Sequence, residues 1–532
     1  PAKRMGVVPM NRGGTAKTIR PRQRETFPLP GTFCMDLNAQ EGRKMNFTPQ
    51  LSEIREIAAE KKYAVVPISC EILSDICTPI EAMQILKNVS THCYLLESAQ
   101  ANEKWGRYTF LGYDPKLEIT CVNGTLRTGD VTMQTEDPSA VLRQILARYK
   151  SPRLPGLPPF TGGLVGYFSY DYLGYSEPKA RTAAADTEAF KDVDLMLFDK
   201  VIAFDNCRQK IILIANMALD DLETNYNKAL LELTRMAELL RSGEKRRERP
   251  GRLLGEVTPL FDKAAYCAMV EKARHHIYEG DIFQIVLSNR LSAAFEGSLL
   301  GTYRMLRTIN PSPYMFYFAG TDVEVAGASP ETLVKLEDGV LHTFPLAGTR
   351  PRGKTEAEDA ALERDLLADE KELAEHNMLV DLGRNDLGKI SRFGTVEVEK
   401  LHSIERYSHV MHIGSTVRGI IREDKDALDA IEAVLPAGTL SGAPKIRACQ
   451  LIGELENNKR GIYGGAIGYI DFTGNMDTCI AIRIAYKKNG RVFVRSGAGI
   501  VADSIPEKEY QECINKAQAV VSALKAAEEE GL

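Results

Sequence analysis

Apolar and polar positions change rhythm several times along this chain, and the changes divide it. Between residues 64 and 215 the apolar positions come in runs of strand length, such as YLLES (94–98), YTFLGYDP (108–115) and IILIA (211–215). Turn-forming residues separate them, which predicts mainly short strands and turns. From 219 to 240 (LDDLETNYNKALLELTRMAELL) the apolar spacing becomes helical. SGEKRRERPGR (242–252) breaks both patterns and reads as an exposed linker. Helices and strands alternate from there to the end. Residues 1–44 carry no periodicity and read as a disordered or leader segment. Next comes a helix beginning with Thr48 as N-cap, Pro49 in its first turn and Glu53 and Glu56 early in it. The predicted divisions are therefore 1–44, an N-terminal region 45–241, a linker 242–255, a main region 256–525 and a tail 526–532. GGLVGYFSYD (162–171) is echoed by GGAIGYIDFT (464–473), which hints at two related sheet edges in two halves.

Composition narrows the chemistry. The chain has 532 residues, of which 44% are hydrophobic and 26% charged, enough for a sizeable core without staples. A net charge of -5 leaves no basic field for nucleic acid. No apolar run approaches the ~18 residues of a membrane helix, and no secretory signal is visible, so a cytoplasmic protein is expected. Ten scattered cysteines without a CxxC pair read as reduced thiols, mostly core residues, and eight histidines show no zinc spacing. A metal here must be held by carboxylates, which favours a hard cation such as Mg2+.

Two helical segments carry carboxylates at suitable spacing. In DEKELAEHNMLVDL (369–382), Glu372 and Glu375 share a face; Ser504-Ile-Pro-Glu507 reads as a capping box opening a helix with Glu509 and Glu512, with Lys516 a turn further on. Such pairs usually mark a solvated face, and two of them on separate helices could instead share one Mg2+. PLAGTRPRG (345–353) and RSGAGIVADS (495–504) offer glycine-rich turns after strands, suited either to ordinary turns or to presenting N–H groups to an anion. Arg483, amid the apolar strand CIAIRIAY, needs an anionic partner, ligand or structural carboxylate. The single Trp105 reads as core. Neither GxGxxG nor GxxxxGK[ST] is present, which disfavours dinucleotides and the P-loop.

Taken together, PLAGTRPRG, EHNMLVDLGRNDLG, GTLSGAPK, YGGAIGYIDF, AIRIA and GAGIVADSIPEKEYQE resemble the motif set of the chorismate-utilising enzyme family, over residues 60–525. The resemblance implies an α+β fold, large mostly antiparallel sheets in a sandwich with outer helices. It implies Glu375 and Glu512 as Mg2+ ligands, with Glu372 and Glu509 beside them. Gly348, Thr349, Tyr463, Arg483, Gly497, Ala498 and Gly499 would hold the two carboxylates of chorismate. His412 matches the family's active-site histidine, Glu331 a general acid for the departing hydroxyl, and Thr439 a pocket residue. Water-adding members resemble this chain but place a lysine where Gln284 stands, and aminodeoxychorismate synthases commonly carry one where Ala347 stands. Ammonia as nucleophile and anthranilate as product follow, in the first committed step of tryptophan biosynthesis. Glu97, Ser98, Pro313, Tyr314 and Met315, in LLES and NPSPYMF, match a tryptophan feedback site; locally they read equally as a strand end and a turn. A cysteine nucleophile motif with a paired histidine is not seen, so a separate glutamine amidotransferase subunit (component II) and a hetero-oligomer are expected. An alanine-bearing aminodeoxychorismate synthase and a non-catalytic tryptophan-binding homologue stay open as alternatives.

Overall fold

The computed structural model describes residues 45–99, 106–407 and 410–532, so the expectations for 1–44 and Trp105 lie outside the described residues. Residues 45–532 form one compact unit of two large antiparallel sheets. The central strands are buried from end to end because both faces are covered, as in Lys200–Asp205 and Gly163–Phe168. The sheets face one another across aromatic layers, with Tyr94, Phe110 and Phe160 against Phe198 and Tyr469 in one of them. Amphipathic helices close the outer faces. Pro79–Val89, Leu222–Ser242, Leu300–Ile309 and Pro506–Glu529 cover the first sheet, and Pro138–Ala147, Glu370–Gly388 and Ala427–Val434 the second. The expected α+β sandwich with outer helices is therefore present. Among the described residues no helix is long and apolar enough to cross a membrane.

Each sheet has one seam where strands from before the 242–255 segment meet strands from after it. In the first sheet Cys93–Glu97 pairs with Tyr314–Ala319, setting Glu97 opposite Met315. In the second, Gly163–Phe168 pairs with Ala466–Asp471 and sets Gly166 opposite Gly468. The echoed decapeptides thus form the centre of a sheet, against the expectation of two edges. They lie antiparallel with their equivalent glycines face to face, a local two-fold arrangement. Both glycines are required. A Cβ on Gly166 (φ +150°) would stand 2.0 Å from the Asp194 carbonyl oxygen, and one on Gly468 (φ +159°) 2.1 Å from that of Asp477. We expect Gly166→Ala to lower stability by about 3 kcal/mol or more, read as a reduced urea midpoint. An unchanged midpoint would mean that the seam can part at no cost.

The 242–255 segment is mostly exposed and is fastened to the first sheet. Glu248 pairs with Lys87 at 2.6 Å and Arg252–Leu253 adds a short strand beside Phe295. Three local expectations need correction. The first helix is Leu51–Ala59, capped by Gln50 with Glu53 completing the box, while Thr48 lies in a short edge strand whose hydroxyl meets Ser69. The helix Pro506–Glu529 has Ile505 as N-cap, because the Ser504 hydroxyl turns back to accept the Val501 N–H. That helix also runs on through most of the expected tail 526–532.

Candidate active site

Both acidic helices end at one cavity of about 590 Å3, which they line together with the glycine-bearing strands and the loop of Thr439. Asp369 caps the helix Glu370–Gly388 by accepting the N–H groups of Lys371 and Glu372, and this fixes which face carries Glu372 and Glu375. Glu509 and Glu512 line the same cavity from Pro506–Glu529. Burial raises the Glu372 carboxyl above its ordinary range, and the charge of Glu375 adds to this; burial does the same to Glu509, with Glu512 adding and the Ser504 hydrogen bond opposing. Each pair is held close enough to repel, which a shared cation would relieve. Glu375 accepts from Gln284 Nε2 at 3.2 Å and Glu512 pairs with Lys516 at 2.7 Å. Among the described residues no three His, Cys, Asp or Glu side chains converge into a ready metal cage. The donor set is all carboxylate oxygen from two helices, and this fits Mg2+, which keeps several waters and needs only one or two carboxylates.

PLAGTRPRG is not a turn: Leu346–Pro351 is a strand paired with Val410–Ile420, and the register slips between Ala347 and Arg350. Gly348 sits in this bulge at φ +66°, where a Cβ would lie 3.1 Å from Glu372 Oε2. Its carbonyl receives His412 Nδ1 at 2.8 Å. A carbonyl only accepts, so Nδ1 carries the proton and Nε2 is the ring's acceptor. Burial lowers the His412 pKa, so the ring is neutral near neutral pH, although its bond to Gly348 opposes the shift. Gly497 and Gly499 lie inside the strand Arg491–Ile500 rather than in a turn after it. Side chains there would meet Tyr463 Oη at 3.1 Å and Gln284 Nε2 at 3.0 Å respectively, so bare backbone opens the cavity at both. Ala498 differs from its neighbours: strand alternation turns its methyl into the core with Ile285 and Cys513.

Two residues stand out electrostatically. Glu331 is 9% exposed, its Oε1 accepts the Thr439 hydroxyl at 3.1 Å, and burial pushes its carboxyl up to about 8. It is therefore mostly a protonated acid at neutral pH. Arg483 is not within a strand: it breaks the run between Met476–Ile480 and Ile484–Lys488, at φ +53°. Among the described residues it has no carboxylate partner, only Asn310 Oδ1 at 3.5 Å. Burial lowers its pKa. A strained, half-buried guanidinium facing a cavity without a counter-ion is suited to an anion.

Behind this site lies a set of residues that spacing did not reveal. Glu456 bonds Arg460 and Arg495 at 2.6 Å each, and all three side chains are essentially inaccessible. Arg460 donates to the carbonyls of Leu440 and Val286, two residues of the cavity wall. A glutamate and an arginine four apart look like a surface helical pair in sequence, but the helix ends at Glu456 and the packing of Ser288 onto Glu456 buries them.

The five residues expected to hold a regulator, Glu97, Ser98, Pro313, Tyr314 and Met315, all line a second cavity of about 120 Å3 at the seam of the first sheet. Glu97 pairs with Arg307 at 2.6 Å and accepts the Tyr303 hydroxyl. The Tyr314 hydroxyl reaches Thr332, next to Glu331, and Asp477, both at 2.8 Å.

Similarity to known proteins assigns the class of the chain. A family model described as chorismate binding enzyme matches residues 91–522. Anthranilate synthase component 1 of Acetivibrio thermocellus is 44% identical over 501 residues, covering 91% of this chain and 99% of that protein. Its counterpart in Pseudomonas aeruginosa is 45% identical over 489 residues, covering 90% and 99%. The crystal structure of anthranilate synthase component I from Streptococcus pneumoniae superposes with a TM-score of 0.71 at 39% identity, covering 84% of this chain and 98% of that one. The chain belongs to the chorismate-binding enzyme family. Within it, the similarity is to component 1 of anthranilate synthase.

Proposed function

We propose that this chain is the Mg2+-dependent large subunit of an anthranilate synthase, converting chorismate and ammonia to anthranilate, pyruvate and water. The observation that carries the reading is a buried protonated acid, Glu331, in one cavity with four carboxylates and Arg483, which has no carboxylate partner among the described residues. Arg483 and the open backbone at Gly497 and Gly499 receive one carboxylate of the dianion. Glu375 and Glu512, with Glu372 and Glu509 beside them, would hold Mg2+, which when bound neutralises and orients a substrate carboxylate. Glu331 donates the proton that lets the ring hydroxyl leave as water while ammonia adds; the enolpyruvyl group then departs as pyruvate as the ring becomes aromatic. Neutral His412, with Nδ1–H committed to Gly348, keeps Nε2 for a proton or a substrate hydroxyl. Gln284 and Ala347 supply no base and no competing amine, which favours ammonia as the nucleophile. An amidotransferase partner, component II, would deliver it from glutamine.

Incubation with chorismate, Mg2+ and ammonium chloride at mildly alkaline pH should produce the blue fluorescence of anthranilate and lose it with EDTA. Chorismate consumed to an aminated non-aromatic product would overturn the reading in favour of aminodeoxychorismate synthesis. No consumption would favour a binding protein.

Feedback by tryptophan at the seam cavity belongs to the same proposal. Its volume of about 120 Å3 lies below the ~300–1,000 Å3 usual for ligand sites, so an aromatic amino acid must part the seam strands to enter. Two contacts would carry that movement to the active site, Tyr314 to Thr332 beside Glu331, and Asn310 to Arg483. We expect Tyr314→Phe to raise the tryptophan concentration for half-inhibition about tenfold and to leave the uninhibited rate near the parent's. An unchanged inhibition curve would remove Tyr314 from the route.

A further inference from the structure

The hydroxyl that holds Glu331 stands on a short support. Thr439 is the middle residue of Gly438–Leu440, a single helical turn. The turn's own bonds are the Leu440 N–H on the Ala437 carbonyl at 3.0 Å, the Ser441 N–H on that of Gly438 at 3.3 Å, and the Ser441 hydroxyl on Ala437 at 2.8 Å. It is tied to the strand Gln284–Glu296 in two ways. The Val286 N–H donates to the Ser441 carbonyl at 2.9 Å. One guanidinium, that of Arg460, also spans both segments, with Nη1 on the Leu440 carbonyl at 2.6 Å and Nη2 on the Val286 carbonyl at 2.7 Å. Leu440 and Val286 both line the active-site cavity.

The packing aims this guanidinium. Glu456 Oε1 accepts from its Nη2 at 2.6 Å and Oε2 from its Nε at 3.1 Å, and its plane lies over the Tyr170 ring, 4.6 Å from the ring centre. Glu456 is fixed in turn by the Ser288 N–H at 2.7 Å and by Arg495 Nη2 at 2.6 Å. Stability alone does not call for such an arrangement, since apolar side chains in place of a buried ion pair are often neutral or stabilising. What an apolar side chain could not supply is a planar fork whose donors point in fixed directions.

We propose that Arg460 is a positioning residue of the active site: bridged between Leu440 and Val286, it holds the turn of Thr439 against the strand and so keeps the Thr439 hydroxyl on the carboxyl of Glu331. The inference rests on the proposed role of Glu331 as proton donor. The electrostatics make it separable from a charge effect. Burial raises the Glu331 carboxyl, and the Thr439 hydrogen bond, Arg483 and Lys516 oppose the rise. Tyr407 beside it is neutral, its own hydroxyl pushed up to about 12 by burial. Arg460 is not among the groups that act on Glu331, so a change in Glu331 on losing Arg460 comes through the turn. Removing Arg460 also strands no charge, because Glu456 keeps Arg495.

The test is steady-state kinetics of the full chain with chorismate, Mg2+ and ammonium chloride. Arg460→Met should lower kcat about ten- to a hundredfold and leave KM within about twofold of the parent's. Combined with Thr439→Val it should be no slower than Thr439→Val alone, because both remove the same contact. Arg460→Lys keeps the charge beside Glu456 without the fork; it should show the same loss, and it decides the matter if the methionine variant does not fold. A second readout needs no substrate. Infrared difference spectra of parent minus Glu331→Gln follow the ionisation of Glu331 itself, and in either Arg460 variant it should move to higher pH as the Thr439 hydrogen bond is lost. Parental kcat, a loss that multiplies with that of Thr439→Val, or an unmoved infrared titration would each overturn the proposal. A parent that makes no anthranilate would instead sink the assigned reaction, and the infrared titration would then decide alone whether Arg460 places Thr439 on Glu331.

Discussion

Glu331→Gln should reduce kcat about 100- to 10,000-fold, the usual contribution of a positioned general acid, while leaving the fold intact. The substitution keeps the size and the hydrogen bond from Thr439 but has no acidic proton to give. The pH dependence separates this from a structural effect. The carboxyl is raised from an ordinary 4.5 to about 8. The folded protein therefore holds a proton that the unfolded chain has already lost between those values. By linkage, the stability contributed by the protonated acid is full below about 4.5 and is lost as pH rises towards 8. Glutamine cannot ionise, so the variant should match the parent at acid pH and exceed it at alkaline pH in a denaturation series. In the parent, kcat/KM should fall as pH passes about 8 even though more free ammonia is present, and the residual rate of the variant should lack that fall. A variant that keeps parental kcat, or the same alkaline limb, would exclude Glu331 as the acid.

The contrast between Glu331 and the acidic helices shows what was legible in advance. Glu372 and Glu375 share a face because helical spacing requires it, and Asp369 at the cap is a local signal. Glu331 sits in SPET, which has no periodicity; its character comes from burial and from Thr439, 108 positions away. The motif family could point to it, but the elevated pKa needed the packed structure. PLAGTRPRG reads as a turn from its own residues because Gly and Pro favour turns. It becomes a bulged strand only through pairing with Val410–Ile420. The echo of 162–171 in 464–473 was visible, but a match of two segments does not say that they pair with each other. Likewise Glu456 and Arg460 have the spacing of a solvated pair, and their burial depends on strands distant in sequence.

Arg483→Gly should cut kcat/KM for chorismate about a hundredfold and at the same time raise stability by about 1 kcal/mol. The loss follows from leaving a substrate carboxylate without its charged donor. The gain has two sources. Arg483 holds φ at +53°, a conformation costly for a residue with a Cβ and nearly free for glycine. Its guanidinium is also half-buried without a carboxylate partner among the described residues, so removing it removes a desolvation cost. Against these stands the greater backbone freedom of glycine in the unfolded chain, which takes back part of the gain. Arg483→Met separates the two sources, since it removes the charge and keeps the strain. It should match the glycine variant in lost activity and fall short of it in stability, both read from steady-state kinetics and urea midpoints. If both variants are less stable than the parent, Arg483 is a structural cation whose partner is the protein itself. If they are more stable and inactive, the strain and the unpaired charge at this position are maintained for the substrate.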